Sequence, residues 1–138
     1  MKVYFDTNII IDILERRDPF FKDSADIFLM ASDRAIEGII GAGSITDIYY
    51  IIRKSRRNHK VALDAVIDLF ETLTVVDTKS RDIYSASKSV MNDFEDAVIA
   101  SVAEREGAQY IITRNTDDFV NASIPAITPQ NFLNLYNK

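Results

Sequence analysis

The sequence has no cysteine, so disulfides and thiolate metal sites are excluded. Its single histidine, His59, rules out a zinc site built from several imidazoles. The same two shortages leave no Cys-His pair and make a Ser-His-Asp triad an unattractive reading. No P-loop and no GxGxxG motif is present, which removes the usual nucleotide cradles. Glycine and proline are scarce, at 4 and 3 residues, and no low-complexity linker or repeat interrupts the chain. No apolar run is long enough to span a membrane. The first such run is short and contains Asp6 and Asp12, unlike a signal peptide. A cytoplasmic protein with no membrane partner is the expectation. Positive charge is also short: the net charge is −5, so any nucleic-acid contact needs a local basic patch rather than a basic domain.

What is present is a chain of 138 residues, 47% apolar, enough for one domain with a real core. Val3 to Phe5 read as a short buried strand, closed by Asp6. Thr7 and Asn8 are N-cap types, and Ile9, Ile10, Ile13 and Leu14 recur at helical spacing over about Ile9–Arg17, up to the break at Asp18-Pro19. A second helix is expected over Phe21–Ser32 with Ala25, Phe28 and Leu29 inward, then a strand over Ala35–Gly41. Ser44 is placed as the cap of a helix carrying Ile45, Ile48, Tyr49, Ile51 and Ile52. Further helices are expected over Val61–Thr72, over Ser80–Ser89 capped by Ser80, and after Asp93 up to Gly107. Strands are expected at Leu73–Val76, Gln109–Ile112 and Ala126–Ile127, with Pro129 starting a last helix. Strands alternating with helices imply an α/β fold with a parallel sheet covered on both faces.

Acids recur where helices begin. Asp6 ends the first strand, and Asp47, Asp96 and Asp118 each lie three residues after a cap-type residue: Ser44, Asp93 and Asn115. Each alone reads as a capping partner contributing roughly 0.5–1 kcal/mol. Together, at one edge of a parallel sheet, they would converge in the crevice where open α/β folds bind ligands. Clustered carboxylates repel one another, and a bound cation relieves that cost. An all-oxygen site favours Mg²⁺ or Mn²⁺. The chemistry that suits it is hydrolysis of a phosphodiester, in RNA or in DNA.

On these residues the sequence resembles the PIN-domain nucleases, and within them the VapC-like toxins. The resemblance rests on Phe5-Asp6-Thr7-Asn8-Ile9, Ser44-Ile45-Thr46-Asp47, Asp93-Phe94-Glu95-Asp96-Ala97-Val98-Ile99-Ala100 and Ile112-Thr113-Arg114-Asn115-Thr116-Asp117-Asp118-Phe119. It spans nearly the whole chain. It implies one PIN-like domain over 1–138, a three-layer α/β/α fold with a central parallel sheet. It further implies Mg²⁺- or Mn²⁺-dependent cleavage of RNA, a homodimer, and inhibition by a small antitoxin. The catalytic acids it implies are Asp6, Asp47, Asp96 and Asp118, with metal held by Asp6, Asp96 and Asp118. Asp93, one helical turn from Asp96, is preferred to Glu95 as a further ligand. Thr7, Asn8, Ser44, Thr113 and Asn115 are the supporting polar residues. The second acid is usually Glu; here Asp47 reaches one carbon less, and direct binding by Asp47, Asp93, Asp117 or Asp118 stays open.

Arg53–Lys60 holds five Lys/Arg within eight residues. Arg53, Arg56, Arg57 and Lys60 read either as RNA contacts or as a solvated helix end. Arg114 reads either as a phosphate contact or as a surface ion pair to Asp117 or Asp118. Tyr49 and Tyr50 could stack on bases, though Tyr49 has core spacing. Phe20, Phe21, Phe28 and Met30 read as packing or as a groove for a partner helix. Two alternatives to a nuclease are a PIN-fold module that binds RNA or protein without efficient catalysis, and a phosphoacceptor domain using Asp6. The second lacks further acids near strand one and a late Lys.

Overall fold

A computed structural model describes residues 1–137. Strand β1 (Lys2–Phe5) leads into α1 (Thr7–Leu14) and α2 (Phe21–Ser32). Then come β2 (Glu37–Gly41), α3 (Ala42–Arg56), α4 (His59–Thr72), β3 (Thr74–Val76), α5 (Ser80–Ser87) and α6 (Phe94–Arg105). The chain finishes with β4 (Tyr110–Ile112), a 3₁₀ turn over Thr116–Phe119, β5 (Ala126–Ile127) and α7 (Pro129–Tyr136). The five strands form one parallel sheet in the order β3-β2-β1-β4-β5. Strand order therefore reverses between β1 and β4, the switch point where such sheets open a crevice at their carboxyl ends.

Alternation along the strands builds two cores and hence three layers. Val3 and Phe5 point into a cluster with Ile9, Ile27, Ile48 and Leu69 from α1–α4. Tyr4 points the other way, among Ile39, Ile99, Val102 and Ile111, with α6 as the cover. Each fully buried side chain of this kind contributes roughly 1.5–3 kcal/mol. At Gly38, which pairs with Val3, a Cβ would stand 2.6 Å from Leu73 Cδ2 and 2.8 Å from Phe5 Cε1, so only glycine lets those side chains close. Gly107, at φ 73°, provides the left-handed residue that stops α6, as expected.

Several helix starts differ from the expected ones. Asp6, not Thr7 or Asn8, caps α1: its backbone is extended and its carboxylate accepts the Thr7 N–H. Ser44 is the third residue of α3, which starts from Gly41, and Ser80 is the first residue of α5, whose cap is Lys79. Asp93 does cap α6, accepting the Asp96 N–H at 2.9 Å. Helix α1 stops at Leu14 rather than Arg17, because Arg16 turns left-handed at φ 50°. Leu29 faces solvent; Ser24, Ile27 and Ala31 are the buried residues of α2. Among the described residues, no helix is long and apolar enough to cross a membrane.

Two buried ion pairs tie neighbouring elements together. Asp82 on α5 is 1% exposed and takes Arg105 Nη2 at 2.8 Å, with further bonds from the Ser101 hydroxyl and the Lys79 N–H. Burial alone would raise the Asp82 pKa, but these donors outweigh it and hold the carboxyl below its ordinary range. Asp12 on α1 is fully buried and takes Arg114 Nε at 2.5 Å and Nη2 at 3.2 Å.

Candidate metal and nucleic-acid site

The site is built at the switch point. Asp6 continues the ladder beyond β1 through its N–H to Ile112 O at 3.0 Å. Its side chain is then fixed at both oxygens: Thr7 N–H donates to Oδ1 at 2.8 Å and the Thr113 hydroxyl to Oδ2 at 2.7 Å. Thr113, fully buried just past β4, accepts in turn from Asn8 Nδ2 at 3.3 Å and Asn115 N–H at 3.1 Å. Neighbouring strands thus deliver Asp6 and its support from positions 107 residues apart.

A cavity of about 620 Å³ opens over Asp6. Six acids line it: Asp6, Asp47 from the second turn of α3, Asp93, Glu95 and Asp96 from the start of α6, and Asp118 from the 3₁₀ turn. Thr7, Asn8 and Asn115 line it too. Asp117 is exposed and does not. Ser44 faces a neighbouring cavity, also bordered by Asp47, with its hydroxyl 3.2 Å from the Tyr4 hydroxyl.

The electrostatics follow from this crowding. Burial is the largest cause pushing Asp96 up to about 7, and the charges of Asp93, Asp6, Asp118 and Glu95 push the same way. Asp6 is also raised, mainly by burial and partly by Asp118, against the lowering effect of its Thr113 and Thr7 hydrogen bonds. Among the described residues, no three His, Asp or Glu side chains are already gathered tightly enough to hold an ion. The donor set is nonetheless all oxygen, partly desolvated and mutually repelling. That chemistry fits a hard divalent cation and no soft one.

The expected basic residues lie elsewhere. Arg53, Arg56, Arg57 and Lys60 are exposed where α3 meets α4, and none lines the acidic cavity. Lys60 pairs with Asp64 at 3.1 Å. Arg114 is paired neither with Asp117 nor with Asp118: it is committed to Asp12 and lies over the Phe20 ring at 4.3 Å. Phe28 is packing, edge-on to Phe5, while Phe20 is 40% exposed. Four lining residues are not marked as site members by the sequence, Ile11, Arg17, Ile51 and Ile99. No local pattern singles them out.

Comparison with known proteins agrees with this architecture. The family profile described as PIN domain matches residues 2–117. Ribonuclease VapC1 of Aquifex aeolicus (strain VF5) is 23% identical over 141 positions, covering 99% of this chain and 96% of that protein. Among solved structures, VapBC2 from Rickettsia felis, bound to a DNA fragment from its promoter, superposes with a TM-score of 0.70 at 16% identity, over 93% of this chain and 98% of that one. The sarcin-ricin-loop-cleaving toxin VapC20 of Mycobacterium tuberculosis superposes with a TM-score of 0.63 at 14% identity, over 79% of this chain and 86% of that one.

Proposed function

The chain belongs to the PIN domain family, and from that premise we propose that it is a divalent-metal-dependent endoribonuclease, the toxin of a toxin–antitoxin pair. One observation carries the reading: six acids from four separate segments line a single cavity at the sheet's switch point. Relatives named as a ribonuclease and as a sarcin-ricin-loop-cleaving toxin support RNA as the substrate class.

In this reading Asp6, Asp96, Asp93 and Asp118 hold Mg²⁺ or Mn²⁺, and Asp47 acts from the edge. When bound, the ion would stabilise charge on the scissile phosphate and ease deprotonation of the attacking water. The chain's own residues prepare that step. Thr113 and the Thr7 N–H aim both oxygens of Asp6 and favour its charged form against burial. Asp96, raised to about 7 by burial and its acidic neighbours, is only partly ionised at neutral pH, and cation binding would displace the remaining proton. Asn8 and Asn115 lock the Thr113 hydroxyl toward Asp6.

The antitoxin and a second copy of the chain are the proposed protein partners. Leu63, Ile67 and Phe70 recur on one face of α4 and are 42%, 53% and 61% exposed, the kind of row an apolar partner segment covers. Cleavage of RNA with Mn²⁺, with EDTA, and by Asp6→Asn or Asp96→Asn tests the activity. Activity should be lost with EDTA and in both variants; equal activity throughout would remove the metal site from the account. The second reading, a PIN-fold binding module, is favoured by the net charge of −5 and by Asp47, one carbon shorter than the Glu usual at its position. The two readings part on whether the protein binds Mn²⁺ at all.

A further inference from the structure

The cavity's acidic lining poses a problem for a polyanion. We infer that Tyr50 is the platform on which an unpaired RNA base stacks, and that Arg17 holds a phosphate of the same strand; this rests on the nuclease reading above. Tyr50 lines the same cavity as the acids yet is 64% exposed, beside Ile51 at 39%. Its ring is braced: Tyr49 meets it edge-on at 5.0 Å, and the Tyr49 hydroxyl is in turn 2.6 Å from His59 Nδ1. A ring held this way offers a π-face at little entropic cost.

Arg17 is the single cation among the described residues that line the cavity. Its side chain is 50% exposed and makes only a long ion pair, at 4.0 Å, with Asp12, whose carboxylate Arg114 holds more closely. Arg17 therefore keeps donors for a phosphate, next to six acids that would otherwise repel it. A base inside a duplex is stacked on its neighbours and cannot reach Tyr50, so the bound nucleotide must be unpaired.

The test is fluorescence anisotropy of a labelled single-stranded RNA of about 12 nucleotides, titrated with the full chain carrying Asp96→Asn. Adding Tyr50→Ala should weaken binding about tenfold, while Tyr50→Phe should stay within about twofold. Adding Arg17→Ala should lower the slope of log Kd against log salt by about one, and Arg17→Lys should restore it. Unchanged affinity in the Tyr50→Ala protein, or an unchanged slope in the Arg17→Ala protein, overturns the inference. So does a Tyr50→Ala protein whose sedimentation changes while its RNA affinity does not, since that face would then join copies of the chain. Absence of cleavage by the wild-type protein, with the binding pattern intact, would instead sink the nuclease reading alone.

Discussion

Removing one negative charge from the candidate site should make the metal-free protein more stable. The perturbation is Asp96→Asn. In the folded chain the Asp96 carboxyl is raised to about 7, against 3.8 for the unfolded chain. A raised acid contributes its full stability below the unfolded value, and that contribution is lost as pH climbs through the folded value. Fully shielded from water, such a carboxylate would cost the fold about 4 kcal/mol above pH 7. Water in the open cavity screens much of that, leaving about 1–2 kcal/mol. Asparagine cannot ionise, so the variant escapes the loss. Thermal unfolding in EDTA should therefore show wild type and variant melting together near pH 4, with the variant higher by roughly 3–6 °C near pH 8. Mn²⁺ should reverse the order near pH 8 if the proposed site binds it through the wild-type acids. A variant no more stable than wild type near pH 8 in EDTA would refute the claim that burial and the neighbouring acids raise the Asp96 carboxyl.

Arg105→Ala should cost about 3–5 kcal/mol in urea unfolding, since it strands the buried Asp82 carboxylate; a loss below about 1 kcal/mol would mean the pair is solvated. Arg114→Ala removes the close partner of buried Asp12, but Arg114 is 27% exposed and Arg17 stays 4.0 Å away, so about 2–3 kcal/mol is expected by the same measurement. Thr113→Val removes the hydroxyl that aims Asp6 and should lower RNA cleavage about 10- to 100-fold, while Thr113→Ser should retain it.

Much of this arrangement was legible along the chain, for reasons that can be named. Helix α2 was expected and found at Phe21–Ser32, and Pro129 starts α7, because proline and apolar spacing are local signals. The gathering of Asp6, Asp96 and Asp118 in one cavity was legible from acids recurring where helices begin. Caps were less so: residue type alone pointed to Thr7, Ser44 and Ser80, whereas the backbone leaves the helical region at Asp6, Gly41 and Lys79. Arg114 was read against its chain neighbours Asp117 and Asp118, yet the pairing of β1 with β4 sets it beside Asp12, 102 residues away. Arg17 joins the cavity for the same kind of reason. Its place depends on where α1 stops, which is set by the left-handed turn at Arg16.

The central claim is that residues distant in sequence form one cation site. Calorimetric titration of Mn²⁺ into the wild-type, Asp6→Asn and Asp96→Asn proteins near pH 8 tests it without RNA, partner or turnover. Saturable binding by the wild-type chain is expected, weakened at least tenfold by either substitution. Heat of binding absent at about millimolar Mn²⁺, or identical in all three proteins, would contradict it.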